Sequence, residues 1–485
     1  MQGTSSDARS PAWRAVVTGI STVAVTGAAA VAGVILARRF GHGVRTDGFF
    51  AAYAVYIALV LVGQALRVVV LPPLARARDR GRLRTEVGAW GLALALPLAP
   101  LLVVAVAAPR ALAHVLTGEA AARPDAERLL PWVVAAAVAQ VYAGLLASAL
   151  AALDDYGVAA AGFALGSIAN VVVILVAHHG IVVFGWGPLA NGVIAVGLPV
   201  LELARRRALG PPDRHGVLRR LWLLVEGVAL PFALQGLYVI AYRAATSLSK
   251  GDATTFSYAY LVASALVSAT ATSIALVSSV PLTRTGLDRV RAARHIVSAA
   301  WLALAVVAPA AGVAALAMPT VAHHVLGASY GGGTGEELGR LVVYLAPWMV
   351  AMIGVSVGFP LLFVRGRARW LPALAVGALV LQVLVEWALR AAFGLAGVAL
   401  GVAVTTVGIL AVIAASLGTL GAVARGVLTA AAVCGVAAAA AYLLPRVVVG
   451  AVAAAVVGTV VYAAALLAWR PPGLRDAWAY ARTLT

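Results

Sequence analysis

Cysteine occurs once in 485 residues, as Cys434 inside an apolar run, so neither a disulfide framework nor a thiolate zinc cluster can form. Acid is also scarce: 18 Asp and Glu stand against 36 Lys and Arg, and charged residues make up only 11% of the chain. Ordinary soluble domains carry about 25%. The eight histidines include no H-x-x-x-H pair. His178-His179 and His323-His324 are adjacent, and neighbours on a helix do not face one site, so loop or interface positions are expected for both. There is no nucleophile elbow, phosphate loop or metal-ligand spacing. An enzyme is therefore not expected, nor any metal or cofactor, and the chemistry left to the chain is binding and gating.

What the chain has is apolar length. It is 63% hydrophobic with a mean hydropathy of +0.98, which makes it an integral membrane protein. The formal charge of +18 does not mark a nucleic-acid binder, because the arginines sit in short loops between apolar spans. The run from Ala15 to Leu36 is longer than the roughly 7–15 residues of a signal-peptide core and is read as a retained first span. A span needs about 20 apolar residues. On that basis fourteen are expected, near 15–37, 49–71, 87–108, 130–152, 157–177, 181–203, 221–243, 256–280, 296–318, 341–363, 370–389, 393–417, 427–444 and 447–469. With the N-terminus inside, 24 basic residues fall on the cytoplasmic side and 10 outside. That excess places both termini in the cytoplasm of a multi-pass cell-membrane protein.

The stretch from Phe40 to Arg84 recurs further along. Gly43, Thr46 and Pro73-Leu74-Ala75-Arg76 answer to Gly251, Thr254 and Pro281-Leu282-Thr283-Arg284 at an offset of 208. Gly157, Phe184-Gly185, Ala190 and Gly192 answer to Gly366, Phe393-Gly394, Ala399 and Gly401 at 209. A shared offset through separate segments is the trace of an internal duplication. Six spans per copy is an even number, so the copies have one orientation, as in transporters with parallel repeats. The expected fold is all-α and polytopic: an N-lobe over 1–208, a C-lobe over 209–420, and an extra helix pair with a cytoplasmic tail over 421–485.

Several short motifs lie in an order and spacing that resemble one family. They are Phe40-Gly41-x-Gly43 with Thr46-Asp47-Gly48-Phe49-Phe50, Leu129-Leu130-Pro131, and Asp155-Tyr156-Gly157 with Asn170. Gly251 with Tyr258-Ala259-Tyr260 and Pro281-Leu282 completes the set. Together they resemble the MOP (multidrug, oligosaccharidyl-lipid, polysaccharide) exporter superfamily, and within it the MurJ/MviN-type flippases. Asp79-Arg80-Gly81-Arg82 comes near the loop motif of the major facilitators, but its spacing is wrong.

The resemblance implies alternating access by two lobes and an anionic lipid-linked substrate such as a polyprenyl-linked sugar. It also implies contact with membrane lipid and with envelope-synthesis proteins as partners. MurJ-type proteins carry cavity-facing arginines on their first two helices; here Val31-Ala32-Gly33 and Leu59-Val60-Leu61 stand in those places. Two alternatives stay open: a cation-coupled multidrug exporter, which requires an acid at mid-depth in the membrane, and a transport-incompetent scaffold in envelope assembly.

The candidate binding and gating residues follow from charge inside apolar runs, which is costly and marks function. Arg67 lies just before Pro72-Pro73, with Gln64 three residues earlier on the same face. The arginine fork suits a pyrophosphate, and snorkelling to the interface is the competing account. Glu226 enters the seventh span at a similar depth and could pair with Arg67 as a gate. Gln235 lies near the middle of that helix, beyond Pro231, whose missing N–H can bend it. Arg243 sits at its outer end, where snorkelling is the competing account. Glu386 with Arg390, and Glu202 with Arg206, are read as local i,i+4 pairs at helix ends.

Overall fold

A computed structural model describes residues 11–284 and 288–484 of the chain. Every extended element among them is a helix: α1 (Pro11–Phe40), α2 (Val44–Asp79), α3 (Leu83–Ala107), α4 (Pro109–Leu116), α5 (Arg123–Ala152), α6 (Gly157–Val176), α7 (Val183–Arg205) and α8 (Val217–Ala245). There follow α9 (Asp252–Arg284), α10 (Arg289–Leu326), α11 (Gly332–Tyr344), α12 (Ala346–Val364), α13 (Leu371–Ser416), α14 (Leu420–Val448), α15 (Ala451–Trp469) and α16 (Pro472–Leu484). Among the described residues 11 helices are long and apolar enough to cross a bilayer. One of them, α13, has 46 residues. That is roughly 69 Å at the helical rise, more than twice the hydrocarbon thickness. Gly394, at φ 57° and ψ −132°, breaks it into two limbs. Counting both limbs and adding α1 and α9, of 30 and 33 residues, gives the fourteen spans of a multi-pass membrane protein.

Two boundaries differ from expectation. The run at 341–363 is interrupted at Leu345, and the span proper is α12, opened by Pro347 in its first turn. Helix α2 does not stop at Pro72-Pro73 but continues to Asp79. Proline removes a backbone donor, yet neighbouring helices and local adjustments satisfy the freed groups inside a membrane, so the helix carries on.

The chain divides into two compact units, Met1–Phe40 with Val44–Gln235, and Gly41–Gly43 with Gly236–Thr485. In the first, α5 is the central helix and packs on α2, α3 and α7. Glycine allows the α2–α5 approach: a Cβ on Gly144 would lie 2.7 Å from the Gly63 carbonyl oxygen. Small residues at such crossings are how membrane helices pack without a hydrophobic driving force between them. Polar groups hold one rim of this unit. Asp155 caps α6, its Oδ1 accepting from the amides of Gly157 and Val158 at 3.1 and 3.4 Å. Its other oxygen meets Arg206 at 2.5 Å, while Arg78 reaches Asp154 and Arg220 reaches Glu86, both at 2.7 Å. The Glu202–Arg206 pair forms as expected, at 2.5 Å.

In the second unit an aromatic cluster joins α8, α9 and α12. The Tyr238 ring stacks on Tyr260 at 4.5 Å, and Tyr260 lies 4.7 Å from Trp348. The Tyr238 hydroxyl donates to Ser257 Oγ at 3.0 Å. The turn Gly41–Gly43 joins this unit by its contacts. The Tyr330 hydroxyl donates to the Gly41 carbonyl at 2.9 Å, and His42 Nε2 lies 2.8 Å from Thr255 Oγ1. Helices α14 and α15 form an antiparallel hairpin against α10. Tyr442 centres it, closing on Gly312 and Gly458 with its hydroxyl 2.9 Å from Thr459 Oγ1.

Candidate functional site

The six residues singled out from the sequence occupy dissimilar settings. Arg67 is exposed, with its guanidinium 5.6 Å from the centre of the Phe163 ring, a cation–π contact between α2 and α6. The Gln64 side chain lies outside the described residues. Glu226 does not meet Arg67: its Oε1 accepts from the Trp222 indole, one turn back on α8, at 2.7 Å. Helix α8 runs unbroken through Pro231. Gln235 is buried, 5% exposed, and its Oε1 has no hydrogen-bond partner among the described residues. Arg243 is half-buried at the far end, where its backbone carbonyl accepts from Thr246 Oγ1 at 2.7 Å.

A deeply buried carboxylate within a membrane helix is one the sequence reading set aside. Glu386, on the first limb of α13, is 3% exposed, and Gln382, one turn before it, is fully covered. Gln382 Nε2 donates to Glu386 Oε2 at 2.7 Å. Oε1 of each residue has no partner among the described residues. The expected helix-end pair with Arg390 does not form, because Arg390 donates instead to Ser247 Oγ after α8. The second limb makes room for the carboxylate with a glycine: a Cβ on Gly401 would lie 2.5 Å from Glu386 Oε2. Gly408 faces Leu381 across the same limbs. These two contacts set an antiparallel register that brings the buried Thr405, whose hydroxyl also has no partner, level with Gln382.

A carboxylate that has lost water and gained one amide donor is under-solvated by several kcal/mol. Such a group holds a proton or attracts a small cation, and exchanging either changes the local charge by one unit. The carboxylate, one amide oxygen and a hydroxyl could serve a monovalent cation, but among the described residues no three His, Cys, Asp or Glu side chains gather for a divalent metal. The signal for the site was in the sequence, as Gln382 and Glu386 at i,i+4 within an apolar limb. It was outweighed there by an arginine at the same spacing.

No family model matches this chain, and no curated protein does. Solved structures do. The inward-closed conformation of the lipid II flippase MurJ aligns with a TM-score of 0.74 at 12% identity, covering 94% of this chain and 99% of that one. An inward-facing multidrug-resistance MATE transporter aligns at 0.63 and 15% identity, over 86% of this chain and 98% of that one. A MOP-superfamily transporter from Pyrococcus furiosus aligns at 0.52 and 14%, over 86% and 94%. At such identities the likeness speaks to architecture, and in architecture this chain has the fold of the MOP-superfamily transporters.

Proposed function

We propose that the chain is an alternating-access transporter that moves a polyprenyl-linked sugar, or a similar anionic lipid-linked envelope precursor, across the cytoplasmic membrane. In this reading 1–208 and 209–420 are its lobes, 421–485 its extra helices and tail, and both termini are cytoplasmic. The observation that favours this branch is the extent of the structural match. The likeness to a lipid flippase takes in 94% of the chain and nearly all of the flippase, whereas the likeness to the multidrug transporter stops at 86%. Arg67 supplies a cation of the right shape for a pyrophosphate, and Arg243 supplies another near the opposite end of the membrane.

Glu386 also supports a second reading, the cation-coupled exporter. A mid-span acid is what that branch requires, and Glu386 is buried within a membrane helix rather than paired at its end. Both readings give Glu386 the same task, exchanging a proton or monovalent cation as the transporter cycles. A scaffold without transport has no need of a buried, half-satisfied carboxylate.

Reconstitution in proteoliposomes separates the readings. A fluorescent polyprenyl-pyrophosphate sugar should move between leaflets faster than in protein-free vesicles, and a cationic dye should not be taken up. Dye uptake driven by an ion gradient, without lipid movement, would transfer the chain to the exporter branch. Movement of neither by folded protein would leave the scaffold.

A further inference from the structure

Helix α2 carries a column of aromatic rings to which neither transport reading gives a task. Phe49, Tyr53 and Tyr56 follow one another at i+4 and i+3, so they share one face of the helix. Phe49 stacks on Tyr53 with ring centroids 5.1 Å apart and planes at 20°, and Tyr53 stacks on Tyr56 at 5.3 Å and 18°. Such separations belong to offset-stacked rings, whose faces are only partly covered by their neighbours. At its outer end the column is closed by Phe184 of α7, which meets Phe49 in a T-shaped contact at 5.8 Å. At its inner end, among the described residues, Tyr56 is the last ring.

Neither membrane anchoring nor core packing accounts for the column. Anchoring tyrosines sit at the headgroup level. Tyr56 lies roughly 10 Å inside the apolar run that begins at Phe49. Tyrosines of a core find a partner for the hydroxyl, as Tyr238 does at Ser257 and Tyr142 at the Gly91 carbonyl. Tyr53 and Tyr56 are half-buried, and among the described residues neither hydroxyl has a hydrogen-bond partner. Unsatisfied hydroxyls at that depth cost free energy that a hydrogen-bonding guest would recover. The fold does not require these rings either. At the offset of 208 the second repeat has Ser257, Leu261 and Ser264 in their places on α9.

The same face of α2 runs on through Val60 and Gln64 to Arg67, roughly 16 Å from Tyr56 at the helical rise. It therefore presents, in line, a guanidinium suited to phosphate and a stacked column with open hydroxyls. No acid and no other cation lies on α2 between Phe49 and Arg67. An aromatic face suits the C–H face of a pyranose, the hydroxyls suit its ring substituents, and the lack of charge beside the rings suits a neutral sugar. We propose that this face of α2 is a glycan subsite, where Tyr56 stacks on a neutral pyranose of the lipid-linked substrate and the Tyr53 and Tyr56 hydroxyls bind its substituents. The subsite rests on the flippase reading, with Arg67 at the pyrophosphate, and adds that the sugar itself is recognised.

The test is calorimetric titration of the full chain in detergent with two probes, polyprenyl pyrophosphate and polyprenyl pyrophosphate bearing N-acetylglucosamine. The wild type should bind the sugar-bearing lipid about tenfold more tightly, the worth of one stacked ring and one hydrogen bond. Tyr56→Leu should bind both lipids equally, at the affinity the wild type has for the bare pyrophosphate, which also shows that the variant is folded. The double variant Tyr53→Phe, Tyr56→Phe keeps every ring and should retain a preference of only about threefold, having lost the hydrogen bonds. Equal binding of the two lipids by wild type would overturn the subsite and leave the flippase reading standing, as would a full tenfold preference in either variant. Binding of neither lipid by folded wild-type protein would overturn both.

Discussion

Helices α6 and α7 in the first unit and the two limbs of α13 in the second stand at matching places in the duplicated sequence, yet they are built to different ends. At the offset of 209, Phe184-Gly185 near the start of α7 answers to Phe393-Gly394 at the break in α13. In the first unit the earlier helix stops at Val176, where Ala177 turns to extended backbone at φ −81° and ψ 130°. Its terminal carbonyls are taken up by Arg39 of α1, which donates to Ile174 and Leu175 at 2.7 and 3.4 Å. The second unit has Glu386-Trp387-Ala388-Leu389-Arg390 where the first has its stop, and these good helix formers carry the helix on to the break at Gly394. That extension places Glu386 inside the bundle.

The polar groups between the helices differ accordingly. Asn191 of α7 closes on Gly166 and Asn170 of α6 on Gly187; a Cβ at either glycine would lie within 2.4 Å of the amide oxygen. The two Oδ1 atoms are buried and without partners among the described residues, as are those of the Gln382–Glu386 pair. Amides stay neutral whatever the proton or cation supply, so the α6–α7 pair can lock two helices but cannot report a change. Glu386 can. On the proposed reading, the α13 limbs of the second unit carry a group that can exchange charge, where the matching α6–α7 pair of the first carries only neutral amides.

The largest effect expected from this contrast is on transport. Glu386→Gln keeps the shape and an oxygen to accept from Gln382 but loses the exchangeable charge, and should slow transport at least about tenfold, or 1.4 kcal/mol, and abolish its response to proton or cation gradients. Its thermal unfolding should stay at the wild-type temperature or above, since an under-solvated group has been removed. A Glu386→Gln protein with wild-type gradient dependence would end the contrast. The reciprocal change, Asn170→Asp, puts a carboxylate where only an amide fits and should destabilise the protein by about 3 kcal/mol, read as a lower unfolding temperature. Unchanged stability there would show that the first unit tolerates charge as well as the second.

Gly187→Ala should cost about 1–3 kcal/mol by overpacking against Asn170, whereas Gly91→Ala, whose Cβ would stand 4.0 Å from Leu145, should be nearly neutral. Arg67→Lys should weaken binding of a pyrophosphate headgroup by about 1 kcal/mol, roughly fivefold, because an ammonium cannot replace the fork. Equal binding would leave Arg67 as an interfacial anchor. The smallest effect is expected at Glu226, held by Trp222 on its own helix: Glu226→Gln should change transport less than twofold and stability by less than about 0.5 kcal/mol.

Length, hydropathy and arginine placement were enough to read fourteen spans from the sequence, because a bilayer imposes one length scale on every apolar run. The motifs around Gly43, Asp155 and Gly251 were legible for a related reason. They are turns and caps, whose residues are dictated by local backbone geometry, as the Asp155 cap on α6 shows. The proline pair misled in the other direction, since Pro72-Pro73 reads as a stop from local rules and only packing lets α2 pass through it.

The site was least legible. Glu386 has two partners at helical reach, Gln382 before it and Arg390 after it, and the linear sequence cannot rank them. The ranking came from Ser247, which takes the arginine, and from Gly401, which opens a pocket for the carboxylate; they lie 139 and 15 residues away. Local sequence determines whether a residue is charged and which helix bears it. Whether that charge meets water, a partner or nothing depends on atoms brought near by other segments, and only the tertiary structure decides that.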